Sequence, residues 1–224
     1  MIALAGKPGS VANAITTLIA DDIQTAAGFG GQLATGYTFA VANLNPLSGG
    51  ATTSVRARTR FYAANGTGGL PGTFLGGQTF NAFAFANNSI TRFGPTVNPV
   101  GIFTIPVNGQ FWAAITFDNN SGATGATAAQ LNNFGVALLN PTIGSSFDAA
   151  FETTTNGSFN VNNPAGTLFN FGNATNPANP LANFGFDLVT STAPVVVPEA
   201  GSLTLILPAL GILGVVARRR RNTV

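Results

Sequence analysis

The chain of 224 residues suits one domain plus appendages, and only 7% of its residues are Asp, Glu, Lys or Arg, against a usual ~25%. Its 19 Phe, within a hydrophobic fraction of 45%, can fill a real core and exclude a solvating, disordered chain. The absence of Cys and His excludes disulfides and removes the usual general base, triad partner and transition-metal ligand. The formal charge of +2 misleads, because four of the nine basic residues are Arg218, Arg219, Arg220 and Arg221. Before Pro198, five basic residues stand against six acidic ones, so the body lacks the basic face a nucleic-acid partner requires. The 28 Gly and 13 Pro point to many turns between short strands, hence an all-β class.

Taken in order, residues 1–10 do not make a secretory signal: the apolar stretch is short and Lys7 follows it instead of preceding it. The expectation is a front end missing from this sequence. Asp21-Asp22 is expected to end a strand in a turn, the alternative being part of a Ca²⁺ site with further oxygen ligands. Strands are expected at Thr38–Asn43 and Val55–Ala63. The second alternates, with Val55, Ala57, Thr59 and Phe61 inward and Arg56, Arg58, Arg60 and Tyr62 outward. Asn65–Gly72 reads as a loop. In Phe80–Phe85 the phase slips between Phe80 and the Phe83/Phe85 pair, as a bulge would make it. Two hairpins are expected: Gly101–Val107 with Gln110–Asp118 across Asn108-Gly109, and Phe151–Thr155 with Ser158–Val161 across Asn156-Gly157. Further strands fall at Phe134–Leu139 and Phe184–Val189. Turn signals every ~8–12 residues predict an antiparallel β-sandwich or jelly roll over residues 1–189.

Candidate chemistry in the body is thin. Trp112 lies opposite Phe111, Ile115 and Phe117; it stacks on a sugar ring if its face is open, and otherwise packs against a second sheet or loop. Arg56, Arg58 and Arg60 form a strip that could meet acidic polysaccharide, with a solvated outer face as the commoner outcome. Asp118-Asn119-Asn120 lacks the spacing and closing Glu of an EF-hand. An Asx-rich turn is expected there, with Ca²⁺ on Asp118 and Asn120 as the alternative. Asp148 and Glu152 are expected to be solvated carboxylates and not a glycosidase pair. No catalytic residue and no required cofactor is expected.

Residues 190–197 read as a proline-containing linker. Gly201–Ala217 carries no charge over 17 residues, about 25 Å as a helix, and Arg218–Arg221 then close it as a stop-transfer block. Positive charge at that end places it in the cytoplasm and the large domain outside. The order Val197-Pro198-Glu199-Ala200, apolar helix, arginine cluster resembles the PEP-CTERM sorting signal of Gram-negative bacteria. Ala200 stands where that family has a second proline. The resemblance implies processing near Glu199 by exosortase, a membrane-embedded transpeptidase, and delivery to the cell surface or extracellular matrix, often beside exopolysaccharide and biofilm genes. In the body, Arg58-Thr59-Arg60-Phe61-Tyr62 with Gly69-Leu70-Pro71-Gly72 looks like the core of β-sandwich ectodomains that precede such anchors, and implies a jelly roll without a defined activity. The reading is a noncatalytic surface or matrix protein. The alternatives are a carbohydrate-binding module, a secreted hydrolase limited to carboxylate chemistry, and an unprocessed single-pass membrane protein.

Overall fold

The computed structural model describes residues 2–4, 15–95, 101–119, 125–139, 144, 149–153, 164–170 and 183–191. The chain divides into a unit Met1–Ser191 and a unit Thr192–Val224, the second lying outside the described residues. In chain order the first unit contains β1 (Ile2–Leu4), β2 (Ile19–Gln24), β3 (Leu33–Asn43), β4 (Thr52–Ala63), β5 (Phe74–Ala86), β6 (Ser89–Phe93) and β7 (Phe103–Thr104). It continues with β8 (Gln110–Asp118), the one-turn helix α1 (Ala128–Leu131), β9 (Phe134–Leu139), β10 (Ala149–Thr153), β11 (Gly166–Asn170), β12 (Asn183–Phe184) and β13 (Phe186–Ser191).

Every pairing between these strands is antiparallel. One sheet runs β1-β9-β3-β13, with β6 and β7 also on β3 and β12 on β9; the other runs β11-β10-β2-β8-β4-β5. Alternation in each strand aims one set of side chains between the sheets. Tyr37, Phe39 and Val41 of β3 and Phe134, Val136 and Leu138 of β9 meet Val55, Ala57 and Phe61 of β4 and Phe111, Ile115 and Phe117 of β8 in one buried cluster. Phe61 sits at its centre, with ring centroids 4.9 Å from Tyr37 and 4.5 Å from Phe103. The all-β expectation holds, and the phenylalanines form the layer that joins the sheets.

The expected bulge is present. Val55 faces Phe83 and Ala57 faces Phe80, so β5 spends one residue more than β4 over this stretch. Ala82 takes the extra step at φ +54°. The shift returns Phe80, Phe83 and Phe85 to one side, where all three lie within 5.1 Å of the Phe93 ring.

The first expected hairpin is corrected. Phe103 and Thr104 pair with Ala34 and Leu33 of β3, whereas β8 lies in the other sheet between β2 and β4. The Asn108-Gly109 turn therefore carries the chain from one sheet to the other. A type I′ turn needs positive φ at both central residues. Gly109 has it at +74°, while among the described residues Ala82 and Asn88 are the non-glycine residues that do, so Asn108 does not. The Gly109 amide instead closes a turn on the Pro106 carbonyl at 2.8 Å. The second expected hairpin is corrected as well: β10 pairs with β11 on one edge, Phe151 facing Leu168, and with β2 on the other, Phe151 facing Ala20, so its partners are not Ser158–Val161. Asn156-Gly157 and Ser158–Val161 themselves lie outside the described residues.

Asp21-Asp22 does not end a strand. Both lie within β2, and Asp21, facing Ala113 on the inner side, is fully buried. Its Oδ2 accepts the Phe184 amide at 2.8 Å, a charge-assisted bond between strands of the two sheets. A second polar link crosses the core: the Tyr37 hydroxyl bonds the Thr59 hydroxyl and donates to Gln78 Oε1 at 3.0 Å.

A network invisible in the sequence closes the far end of β3. Asn43 Nδ2 donates to Asn87 Oδ1 at 2.8 Å, and Thr53 Oγ1 donates to the same oxygen at 2.6 Å. Asn45 Nδ2 donates to Asn43 Oδ1 at 2.8 Å, and Asn133 Nδ2 to Asn45 Oδ1 at 2.9 Å. Asn87 Nδ2 reaches the Gly50 carbonyl at 2.9 Å. Asn43, Asn45 and Asn87 are each at most 4% exposed, so these amides replace water for three converging loops.

The chain's two tyrosines, Tyr37 and Tyr62, are both fully buried, and burial raises both hydroxyls above their ordinary pKa of 10.0. Above pH 10 the unfolded chain loses protons that the folded one keeps. The stability each contributes is thus whole below pH 10 and falls above it by up to about 1.4 kcal/mol per pH unit. Alkaline titration followed at 295 nm is expected to show no tyrosinate just above pH 10, then a single step coincident with loss of the β-sheet circular dichroism. A gradual rise in the folded protein would contradict the burial.

Candidate functional site

The outer face of β4 and β8 holds Trp112, the arginine strip and Asp118. Register sets Tyr62 opposite Trp112, Arg58 opposite Thr116 and Arg56 opposite Asp118. Trp112 is 3% exposed. Its Nε1 donates to the Gly69 carbonyl at 2.9 Å, and the ring meets Phe151 at 6.2 Å in a T-shaped contact. Together with Leu18, Ala20, Tyr62 and Ala114 it forms a second buried cluster outside the sheet, flanked by Leu70. The loop that contains Thr67–Gly69 lies over it, so the indole face is a packing surface and not a platform for a sugar ring.

The arginine strip points outward as expected but is not a solvated row. Asp118 has no exposed surface, and both its oxygens are engaged. Arg56 Nη2 lies 2.7 Å from Oδ1, and Arg58 Nε lies 2.9 Å from Oδ2. Arg56 Nε also donates to Oδ1 at 2.8 Å. Arg60 turns back on its own sheet, its Nη1 donating to the carbonyls of Thr59 at 2.7 Å and Gln78 at 3.0 Å. Burial lowers the pKa of Arg58 and Arg60 from the ordinary value. The strip is spent on holding β4, β5 and β8 together.

For a calcium ion, Asp118 would have to give up two guanidinium groups; Asn120 lies outside the described residues. Asn119 turns its amide to the Ala126 carbonyl at 2.9 Å. Among the described residues no three Asp, Glu, His or Cys side chains stand close enough to hold a metal ion. Glu152 lies on β10, facing Thr167 and Ile19 of its neighbours; Asp148 lies outside the described residues. A cleft of about 220 Å³ opens at the rim of this face, lined by Asp22, Gln110, the edge of Trp112, Gly68, Gly69 and Leu168 among others. No motif in the sequence marks it.

The last described strand leads to the tail. β13 pairs along β3 to Ser191, which faces Leu33. Thr190 Oγ1 donates to Gln32 Oε1 at 2.8 Å, and Thr35 Oγ1 to the Val189 carbonyl at 3.3 Å. The fold is thus fastened up to Ser191. Val197, Pro198, Glu199, Ala200 and Arg218–Arg221 lie outside the described residues, as does Gly201–Ala217. No described helix is long and apolar enough to cross a membrane.

The chain is an antiparallel two-sheet β protein that continues into a C-terminal sorting signal. Residues 196–221 match the PEP-CTERM protein-sorting motif, and the chain carries that motif as a PEP-CTERM protein with a β-sheet ectodomain. The motif marks it as exported and sorted by an exosortase. The match covers the tail alone, and neither the curated proteins nor the solved structures gave a match.

Proposed function

We propose that this is a noncatalytic surface or matrix protein: a preformed β-domain that exosortase delivers by cutting near Glu199. The observation that carries this reading is the PEP-CTERM motif at residues 196–221, beginning shortly after the last strand of a fastened β-domain. Gly201–Ala217 acts as a helix in the inner membrane until processing, and Arg218–Arg221 hold its end in the cytoplasm. Glu199 is then a feature of a substrate and not a catalytic acid. A noncatalytic role accords with the use made of Asp21 and Asp118, whose carboxylates serve the fold. The jelly-roll reading accords with a chain that passes repeatedly between the two sheets.

A chain ending at Val195, expressed in the native host, is expected to keep the alkaline behaviour of the β-domain yet be lost from the membrane and cell-surface fractions that hold the full chain. Retention of the truncated chain in those fractions would sink the proposal. A second reading, contact with exopolysaccharide, shifts from the ring of Trp112 to the cleft beside it, where Asp22 and Gln110 could bond sugar hydroxyls against Leu168. Quenching or shift of the sole tryptophan's emission by the host's polysaccharide supports it, and an unchanged spectrum removes it.

A further inference from the structure

We propose that, before processing, the β-domain rests on the bilayer by one particular end, with Val107 and Phe29 in contact with the lipid interface. This rests on the reading of Gly201–Ala217 as membrane-inserted. That end is defined by strand register. Ser191, where the fastened chain stops, faces Leu33, and Leu33 also faces Thr104. The loops just beyond Leu33 and Thr104 are therefore at the same end as the point where the tail departs.

Those two loops act as one surface. The Gly31 amide donates to the Ile105 carbonyl and the Ile105 amide to Gln32. At Gly30 a side-chain carbon would run into the Val107 carbonyl, so the backbones pack directly. Val107 is 90% exposed and Phe29 37%. Residues 25–33 and 101–110 contain no Asp, Glu, Lys or Arg, so approach to lipid desolvates no charge there. Apolar side chains on an uncharged surface gain by entering the interface.

The other end also exposes leucines, Leu44 and Leu47, and chain length decides between the two. The nine residues 192–200 can span at most roughly 32 Å even when fully drawn out, at about 3.6 Å per residue. β3 alone separates the ends by its 11 residues, or roughly 36 Å. Setting Leu47 on the membrane end-on would draw the tether beyond its own length, whereas setting Val107 there leaves it slack.

The chain has no cysteine, so single labels can be placed without background. Full-length chain carrying Val107→Cys or Leu47→Cys, each labelled with an environment-sensitive dye, is reconstituted in phosphatidylethanolamine–phosphatidylglycerol vesicles with doxyl-lipid quencher. The label at 107 is expected to lose most of its fluorescence and the label at 47 to keep it. Co-flotation with vesicles but equal quenching at both sites, or none at 107, overturns the proposed orientation and leaves the tail reading standing. Failure to co-float overturns the tail reading, and the orientation with it.

Discussion

Replacing Asp118 by alanine is expected to lower the melting temperature of the β-domain by about 10 °C. The carboxylate is wholly buried and binds Arg56 and Arg58 together, each guanidinium-bearing side chain less than a fifth exposed. Removing one partner of a buried ionic cluster typically costs 3–5 kcal/mol, because the remaining charge stays desolvated. Here two arginines remain, and both can turn partly toward solvent, so the lower figure of about 3 kcal/mol applies, or roughly 10 °C for a domain of this size. Asp118→Leu combined with Arg56→Met and Arg58→Leu is expected to recover most of the loss, since apolar packing often replaces buried ion pairs without penalty. Thermal melts of the three proteins check this. A melting point for the alanine variant within about 2 °C of the parent, where surface pairs usually fall, would contradict the assignment.

Phe61→Ala is expected to cost more, about 4 kcal/mol. The ring is fully buried and stands between the sheets against Tyr37, Phe103, Phe111 and Phe186. Its loss removes transfer energy and leaves a cavity walled by strands from both sides that cannot close. Phe83→Ala, at a side chain 37% exposed on the last strand of its sheet, is expected to cost well under half as much. Urea titration of both separates them. Equal losses would mean that the layer containing Phe61 does not join the sheets.

Several strands were legible, although β6 and β11 carried no signal that was read, and the expected Phe184–Val189 strand is divided at Gly185 between β12 and β13. Phe134–Leu139 has its sequence-read bounds, and the phase slip at Phe80 and Phe83 located the bulge because side-chain period reports directly on backbone geometry. Pairing was less legible. Asn108-Gly109 announced a turn, but a turn dipeptide does not state whether its arms bond each other or enter opposite sheets. Asp21-Asp22 suggested a strand end because the pair follows the apolar Thr17–Ala20; a partner that satisfies Asp21 is the amide of Phe184, 163 positions away. Trp112 and the arginines were placed on the correct face, yet alternation cannot report that the loop after Ala63 covers it. The buried asparagines look like turn residues because singly they are, and only the convergence of three loops makes them a network. The tail was legible as a tripartite composition pattern, which needs no tertiary contact to be read.

Intact-mass analysis of the mature protein from its native host tests the central claim most directly. A C-terminus close to Glu199, without Gly201–Ala217 and Arg218–Arg221, is the predicted result and establishes processing at the sorting motif. A mass that includes Arg221 would contradict it: Ala200 would then have spoiled the motif, and the protein would stand as an unprocessed chain with its tail intact.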